Sequence, residues 1–360
     1  MIALLTQCFP PDRGGIETTM GEMAMAFHQA GQKVVVLADH IRGGMAEPEW
    51  PFAVQRFGGP RFWRRARKAR ALARLAPDVI WADSWKSLET LPARGPRVPA
   101  HGPRVVVMAH GNELLRQAGG RGGRMASAFA RADVVVANSR FTAGLMEGLH
   151  GGVVVVNPSI RPPQPAPRQP QPGHILSLGR LEARKGFDMV IRALPSLSGA
   201  RYTIAGSGPD EPRLRALAAE CGVATRVAFA GSVDEATKSA LLGQAEIFAM
   251  PVRREGLSVE GFGLVYLEAA WFGLPSLAGL AGGAADAVVQ DETGLLVEGS
   301  DAAAVREGLA SLLADRALRE RMGAAAQLRV RQNFTWESVL PAYLRLLERS
   351  SAHNGSSISS

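Results

Sequence analysis

The chain has 360 residues, 46% hydrophobic and 21% charged, which suits two domains with a buried core each and excludes a wholly disordered chain. Its two cysteines, Cys8 and Cys221, lie far apart without metal-ligand spacing, which excludes a disulfide framework or a cysteine zinc site and fits a reducing cytoplasm. The formal net charge of +8 is uneven: residues 1–173 hold 22 Lys+Arg against 12 Asp+Glu, residues 174–360 hold 19 against 21, so an anionic partner is expected for the first half.

Residues 1–7 (MIALLTQ) form an apolar run of strand length, without the basic start of a signal peptide. Residues 17–30 have helical spacing, and 33–38 (KVVVLA) are β-branched and apolar. Residues 62–75 read as a helix, and 79–82, 105–109 and 134–138 as short strands. The stretch 157–173 (NPSIRPPQPAPRQPQPG) has seven prolines in 17 residues and predicts a stiff, extended linker. The second half repeats the alternation, with strands at 174–178, 202–206, 226–230, 247–250, 276–278 and 294–297. Helices are expected at 188–197, 211–221, 234–242, 264–272, 302–314, 317–333 and 336–349, and a polar, disordered tail at 350–360. No apolar run reaches the roughly 18 residues of a membrane span.

Apolar strands separated by helices imply parallel sheets covered on both faces. The expected fold is α/β, two Rossmann-like doubly wound domains facing across a cleft. The first spans 1–160, a proline-rich linker 161–173, the second 174–334, and a last helix 335–349. Ligands of open α/β sheets bind at the strand C-terminal ends, so the cleft is the default site.

Several motifs fall at those ends. Gly14 and Gly15 follow the first strand and open a helix, where a backbone can approach an anion closely; a plain strand–helix turn would look the same. In LGRLEARKGFD (178–188), Arg180 and Lys185 leave a strand–loop–helix turn and suit a diphosphate, unless they are only a solvated basic loop. In EGFGLVYLE (260–268), Glu260 precedes a helix opened by Phe262, Gly263 and Leu264, and Glu268 lies one turn into it. This offers one carboxylate for sugar hydroxyls, N–H groups for phosphate and a second carboxylate for a ribose diol. The alternative is two ordinary helix charges, but an acid within LVYLEAAWF needs a partner. His110 follows the strand VVVMA, and Ser232 and Val233 follow another strand end.

The segment 61–74 carries seven basic residues and no acid. On a helix, Phe62, Ala66, Ala69 and Leu72/Ala73 would form a stripe, with Arg64, Arg65, Arg67, Lys68 and Arg70 beside it. That pattern suits an anionic membrane surface, or a core-packing helix with a solvated basic face. No aromatic stacking motif or helix-turn-helix accompanies it, so nucleic acid is not the expected partner.

Together the motifs GGIE (14–17), HGNE (110–113), NSRFT (138–142), LGRLEARKGFD (178–188), IAGSGPDE (204–211), FAGSV (229–233), EGFGLVYLE (260–268) and GLLVEGSD (294–301) resemble the retaining glycosyltransferases of family 4, which have the GT-B fold. The run AEIFAMPVRREGLSVEGFGLVYLEAAWFGLP is similar to the actinobacterial phosphatidylinositol-mannoside mannosyltransferases, which use GDP-mannose. The resemblance implies a nucleotide sugar in the second domain, with no cofactor and no bound metal. Arg180 and Lys185 would grip the diphosphate, and Glu260 the donor sugar with N–H groups around Phe262, Gly263 and Leu264. Glu268 would hold the ribose, backbone groups at Ser232 and Val233 the base, His110 would reach the sugar, and Gly14 and Gly15 would close near the phosphates. The final helix would return to the first domain. Two departures stand out: Asn157-Pro-Ser-Ile replaces the usual Asn-Gly-(Val/Ile)-Asp, and Asp286 stands at the acidic place of GGxxE.

The expected function is therefore hexosyl transfer, with GDP-mannose as donor and a lipid, lipid-linked or glycan acceptor. The expected location is cytoplasmic, at the inner face of the membrane if the basic helix binds lipid. A UDP-sugar-dependent transferase of polysaccharide or small-molecule glycosides is the alternative on the same fold. A GT-B epimerase is a further one, and a noncatalytic nucleotide-binding protein is the alternative of another class.

Overall fold

The structure is a computed structural model that describes residues 1–12, 14–41, 46–93, 102–115 and 122–348; the expected tail at 350–360 lies outside them. Seven parallel strands make the first sheet: β1 (Ile2–Leu5), β2 (Val34–Asp39), β3 (Ala53–Phe57), β4 (Val79–Ala82), β5 (Arg104–Ala109), β6 (Val134–Ala137) and β7 (Val153–Val155). Their spatial order is β3-β2-β1-β4-β5-β6-β7. Six make the second: β8 (His174–Leu178), β9 (Arg201–Ala205), β10 (Val227–Gly231), β11 (Ile247–Met250), β12 (Ser276–Gly279) and β13 (Gly294–Val297), in the order β10-β9-β8-β11-β12-β13. Both sheets are doubly wound. The switch point falls between β1 and β4 in the first and between β8 and β11 in the second, where ligands of such sheets bind.

Period-2 side-chain alternation builds the first core on two faces. Ala3 and Leu5 with Val35 and Leu37 point to one side, and Ile2 and Leu4 with Val34 and Val36 to the other. Two strands were not among those expected: residues 53–57 and 153–155, the edges of the first sheet, both largely half-buried or exposed. Gln55 and Arg56 interrupt the first, whereas the second lies in the apolar run VVVV (153–156), a strand signal that the sequence does carry.

The last helix, Trp336–Arg345, completes the core of the first sheet although it follows the whole second sheet in sequence. Tyr343 is fully buried there, its ring 5.5 Å from Trp81. The Trp336 indole N–H donates to Glu22 at 2.9 Å, and Arg104 Nε donates to the Leu346 carbonyl at 2.6 Å. The preceding helix, Arg316–Asn333, packs instead on the second core through Met322, Ala326 and Val330. The chain thus passes between the sheets twice, and the passages touch: Ile160 N–H donates to the Phe334 carbonyl at 2.9 Å, and Ile160 bridges Thr335 in parallel.

Asp286 adds a second tie between the domains. It is buried and accepts from the Arg140 backbone N–H at 2.6 Å, from Arg140 Nε at 2.7 Å and from the Asn157 amide at 3.3 Å. Asn157 is the unchanged first residue of the departing segment Asn157-Pro-Ser-Ile, and Asp286, the acid at the GGxxE place, is its partner.

Three outcomes follow for stability. Tyr343→Ala should cost about 3–5 kcal/mol in denaturant unfolding. Tyr343→Phe should be neutral or better, because the hydroxyl is buried with no hydrogen-bond partner among the described residues. Asp286→Ala removes a buried carboxylate's three inter-domain hydrogen bonds, including one from a part-buried backbone N–H, and should cost about 1–3 kcal/mol in the same assay.

Candidate active site

The site forms where the loop after β8 meets the loop after β11. A 3-10 turn, Ala183–Lys185, ends at Gly186 with φ 75°. A Cβ at Gly186 would strike the Pro251 carbonyl, so only glycine allows the two loops this approach. The turn places consecutive cations on one carboxylate. Arg184 Nη1 donates to Glu260 Oε2 at 2.8 Å, and Lys185 Nζ donates to the same oxygen. Burial alone would raise the Glu260 carboxyl; Lys185 and Arg184 overcome it and hold the group below its ordinary range.

Glu260 leads into Leu264–Trp271, a helix capped by Gly263 in the left-handed region at φ 92°. Phe262 turns inward against Phe334, their centroids 6.0 Å apart, which fixes the turn and leaves the first N–H groups of the helix without intrahelical partners. One turn on, Glu268 accepts from Lys238 at 2.6 Å. Burial raises the Glu268 carboxyl above its ordinary range, with Lys238 opposing. Lys238 is the partner that an acid in this apolar helix required.

The first domain reaches this loop through the segment after β5. The Asn112 side-chain carbonyl accepts from the Val259 N–H at 2.8 Å. The His110 carbonyl stands so close to Gly261 that a Cβ there would collide with it. The His110 ring Nε2 lies 2.8 Å from the Asp83 carbonyl, so it carries the proton and Nδ1 remains the acceptor of the neutral ring. His110 N–H is held by Glu113 at 2.7 Å.

A cleft of about 1240 Å3 opens between the domains beside this centre. Gly14, Thr18 and Glu22 line it from the helix Gly15–Gln29, Arg161 from the linker, and Ser232, Val233, Asp234 and Glu235 from the end of β10. Gly14 is the N-cap of its helix, and nothing approaches the Cβ position of Gly15 within 4 Å, so backbone is presented to open space. The structure therefore brings Lys185, Glu260, Phe262, Gly263 and Leu264 together, with His110 against them, and places Gly14, Ser232 and Val233 on the neighbouring cleft. Arg180 lies in the same loop, but its side chain is 69% exposed and 3.6 Å from Glu182. Arg184 and Lys238 escaped the sequence reading. A signal for Lys238 existed: of 41 basic residues only five are lysine, and Lys68, Lys185 and Lys238 all pair with buried or half-buried carboxylates.

The basic helix, Arg61–Leu75, needs correction. Of the expected stripe, Leu72 is buried and Ala66 and Ala69 are half-buried, but Phe62 is 74% exposed, and the buried line runs through Lys68 and Leu72. Lys68, expected on the charged face, is 3% exposed; it donates to the Thr6 carbonyl at 2.6 Å and pairs with Asp39 at 2.7 Å. Arg64 also pairs with Asp39, and Arg61 and Arg65 with Glu89. Two half-buried acids beside the first half of the helix draw these cations inward. What stays exposed is Trp63, Arg67, Arg70 and Arg74, spaced as one helical face, with Phe62 beside it. Among the described residues no helix is long and apolar enough to cross a membrane.

Residues 162–329 match Glycosyl transferases group 1, and residues 13–161 match Glycosyltransferase Family 4. Over 94% of its length the chain is 31% identical to a GDP-mannose-dependent alpha-(1-6)-phosphatidylinositol monomannoside mannosyltransferase of Mycobacterium tuberculosis, 95% of which is covered. Sucrose-phosphate synthase of Thermosynechococcus elongatus shares the fold with TM-score 0.78 at 20% identity, over 96% of this chain and 97% of that one. Anabaena HepE, solved with UDP and glucose, does so with TM-score 0.76 at 17% identity, over 96% and 99%. Two doubly wound sheets, a cation-held carboxylate between them and these sequence matches have one meaning: the chain belongs to the group 1, family 4 glycosyltransferases, hexosyltransferases of GT-B fold.

Proposed function

We propose that this glycosyltransferase moves mannose from GDP-mannose to a phosphoinositide glycolipid, with retention of configuration. The observation that carries the reading is the pair of carboxylates on one helix start. Glu260 is held below its ordinary range by Lys185 and Arg184, and Glu268, one turn into the helix, is linked through Lys238 to Glu235 on the wall of the cleft. The mycobacterial relative's name supplies the donor and the acceptor class.

In this reading the diphosphate lies on Lys185, Arg180 and the N–H groups at Phe262, Gly263 and Leu264, which offset the charge of the leaving group without a bound metal. Glu260 accepts hydrogen bonds from donor-sugar hydroxyls, and Glu268 from the ribose diol. His110 meets the sugar from the first domain, and the backbone at Gly14 and Gly15 closes over the phosphates. The base sits by Ser232 and Val233. Asp234 and Glu235 line that end of the cleft. A carboxylate accepts from the two adjacent N–H groups of a guanine edge, whereas uracil offers one N–H between two carbonyls, so acidic lining favours guanine. The acceptor oxygen bonds to C1 on the face the diphosphate leaves, the C1–phosphate bond breaks, and the departing phosphate oxygen takes the acceptor's proton. Docking of the two domains excludes water and limits hydrolysis.

The acceptor reaches this site from a membrane surface. Phe62 and Trp63 are exposed at one end of a helix whose outer face is Arg67, Arg70 and Arg74. Exposed aromatics beside cations suit the boundary of an anionic bilayer. The enzyme then works at the inner membrane face as a peripheral protein.

Two experiments test the reading. Isothermal titration with GDP and with UDP should show tighter GDP binding, weakened at least ~10-fold by loss of the ribose contact in Glu268→Ala, the scale of a hydrogen bond to a charged group. Tighter UDP binding would transfer the donor to a uridine sugar. The Phe62→Ser, Trp63→Ser double variant should lose most of its binding to phosphatidylglycerol vesicles in flotation; equal binding of the native chain to neutral and anionic vesicles would remove the membrane from the function.

A further inference from the structure

Glu260 is held by two cations, and the mechanism above uses only one of them. Both reach the same oxygen, Oε2, so Oε1 is left for a ligand's hydroxyls. The two cations differ in how they are fixed. Lys185 is a point charge on a flexible stem. Arg184 is anchored on three sides: Nη1 to Glu260 at 2.8 Å, Nε to Glu182 Oε2 at 2.9 Å, and its carbonyl accepts from the Arg253 N–H at 2.9 Å. Arg253 is itself tied to Asp188 through Nη1 at 2.8 Å and Nη2 at 3.2 Å. Only 14% of the Arg184 side chain is exposed.

This arrangement has a consequence for a diphosphate substrate. A diphosphate seated on Lys185 competes with Glu260 for that ammonium and repels the carboxylate. A buried carboxylate that loses its counter-charge takes up a proton or swings away. From that geometry we infer that Arg184 is the positioning residue that holds Glu260 against the donor sugar's hydroxyls while Lys185 serves the diphosphate. Arg184 cannot follow Lys185, because Glu182 and the Arg253 N–H fix it, and its guanidinium does not deprotonate. The inference rests on the donor reading of the site given above.

The groups facing Glu260 make a pH readout interpretable. Lys185 and Arg184 face it from the loop after β8, and the buried Tyr266 phenol, held up by burial and by Glu260, from its own helix. The His110 ring is engaged by the Asp83 carbonyl. Among these, a change at Arg184 acts on the Glu260 carboxyl. Removing the guanidinium raises that carboxyl, so the form able to accept from sugar hydroxyls is lost at a higher pH than in the native enzyme. In the free enzyme Lys185 still compensates Glu260, so the effect falls on the donor complex.

The test compares the native enzyme with Arg184→Met, Arg184→Lys and Lys185→Ala, using GDP-mannose as donor and vesicles containing phosphatidylinositol monomannoside as acceptor. For Arg184→Met we expect a kcat at least ~30-fold lower at pH 6.5, within the range for losing one electrostatic support. The acid limb of its kcat profile should move up by about one pH unit or more, as for the loss of one charged partner, and its kcat/KM limb by less. Titrated GDP should bind Arg184→Met within ~3-fold of native, and Arg184→Lys should restore the limb. An unmoved acid limb, or equal losses in kcat with Arg184→Lys and Arg184→Met at every pH, would overturn the role of Arg184. The Arg184→Lys comparison alone decides if Arg184→Met does not fold: a native-like limb supports the role of the charge, and a uniform loss overturns it. Native turnover in Lys185→Ala would overturn the donor reading itself, a failure distinct from that of Arg184.

Discussion

A carboxylate buried between two domains requires a counter-charge, and much of the site is built to meet that requirement. Glu260 stands at the meeting point of the loops after β8 and β11, with the first domain pressed against its neighbour Gly261. A turn of three residues brings two cations to one oxygen, and Gly186 lets the loops come close enough for this. The same Coulombic arrangement that stabilises the buried acid keeps it ionised. Folding and readiness for catalysis are therefore one electrostatic fact.

The first domain applies the opposite arrangement to its surplus of positive charge. Asp39 gathers Arg64 and Lys68, and Glu89 gathers Arg61, Arg65 and Arg124. Two acids thus hold five cations. Since a single carboxylate cannot neutralise three guanidiniums, the region stays electropositive although most of the individual side chains have a partner. The basicity evident in the composition is real, but it is spread around two anchored acids, and only part of it faces outward on the helix Arg61–Leu75.

How far the sequence could be read followed from the range of the interactions. Alternating apolar strands and glycine turns are local, and from them both sheets and the motif loops could be placed; strands such as 174–178, 247–250 and 294–297 need no adjustment. The edge strand 53–57 was silent because its half-exposed face admits Gln55 and Arg56, whereas the edge strand 153–155 was legible in its run of valines and was not assigned. Site carboxylates were recognisable because an acid in an apolar helix is locally anomalous. Their partners were not, because the pairings of Lys238 with Glu268, 30 positions apart, and of Arg184 with Glu260, 76 apart, are tertiary. The placement of Phe62 and Lys68 on the helix 61–75 was missed for the same reason: Asp39 and Glu89, outside the segment, draw its cations inward.

The paired passages between the domains set the kind of motion the molecule allows. Because Ile160 and Thr335 run side by side and are hydrogen-bonded, they form a two-ply strap rather than two independent tethers. Such a strap bends and twists readily but resists sliding and separation. Arg161, next to it, lines the cleft together with Ser232 and Val233. That end of the cleft lies near the pivot and moves through the shortest arc, while points farther from the strap sweep the widest. A ligand anchored near this strap would stay in register if the mouth of the cleft opened about it.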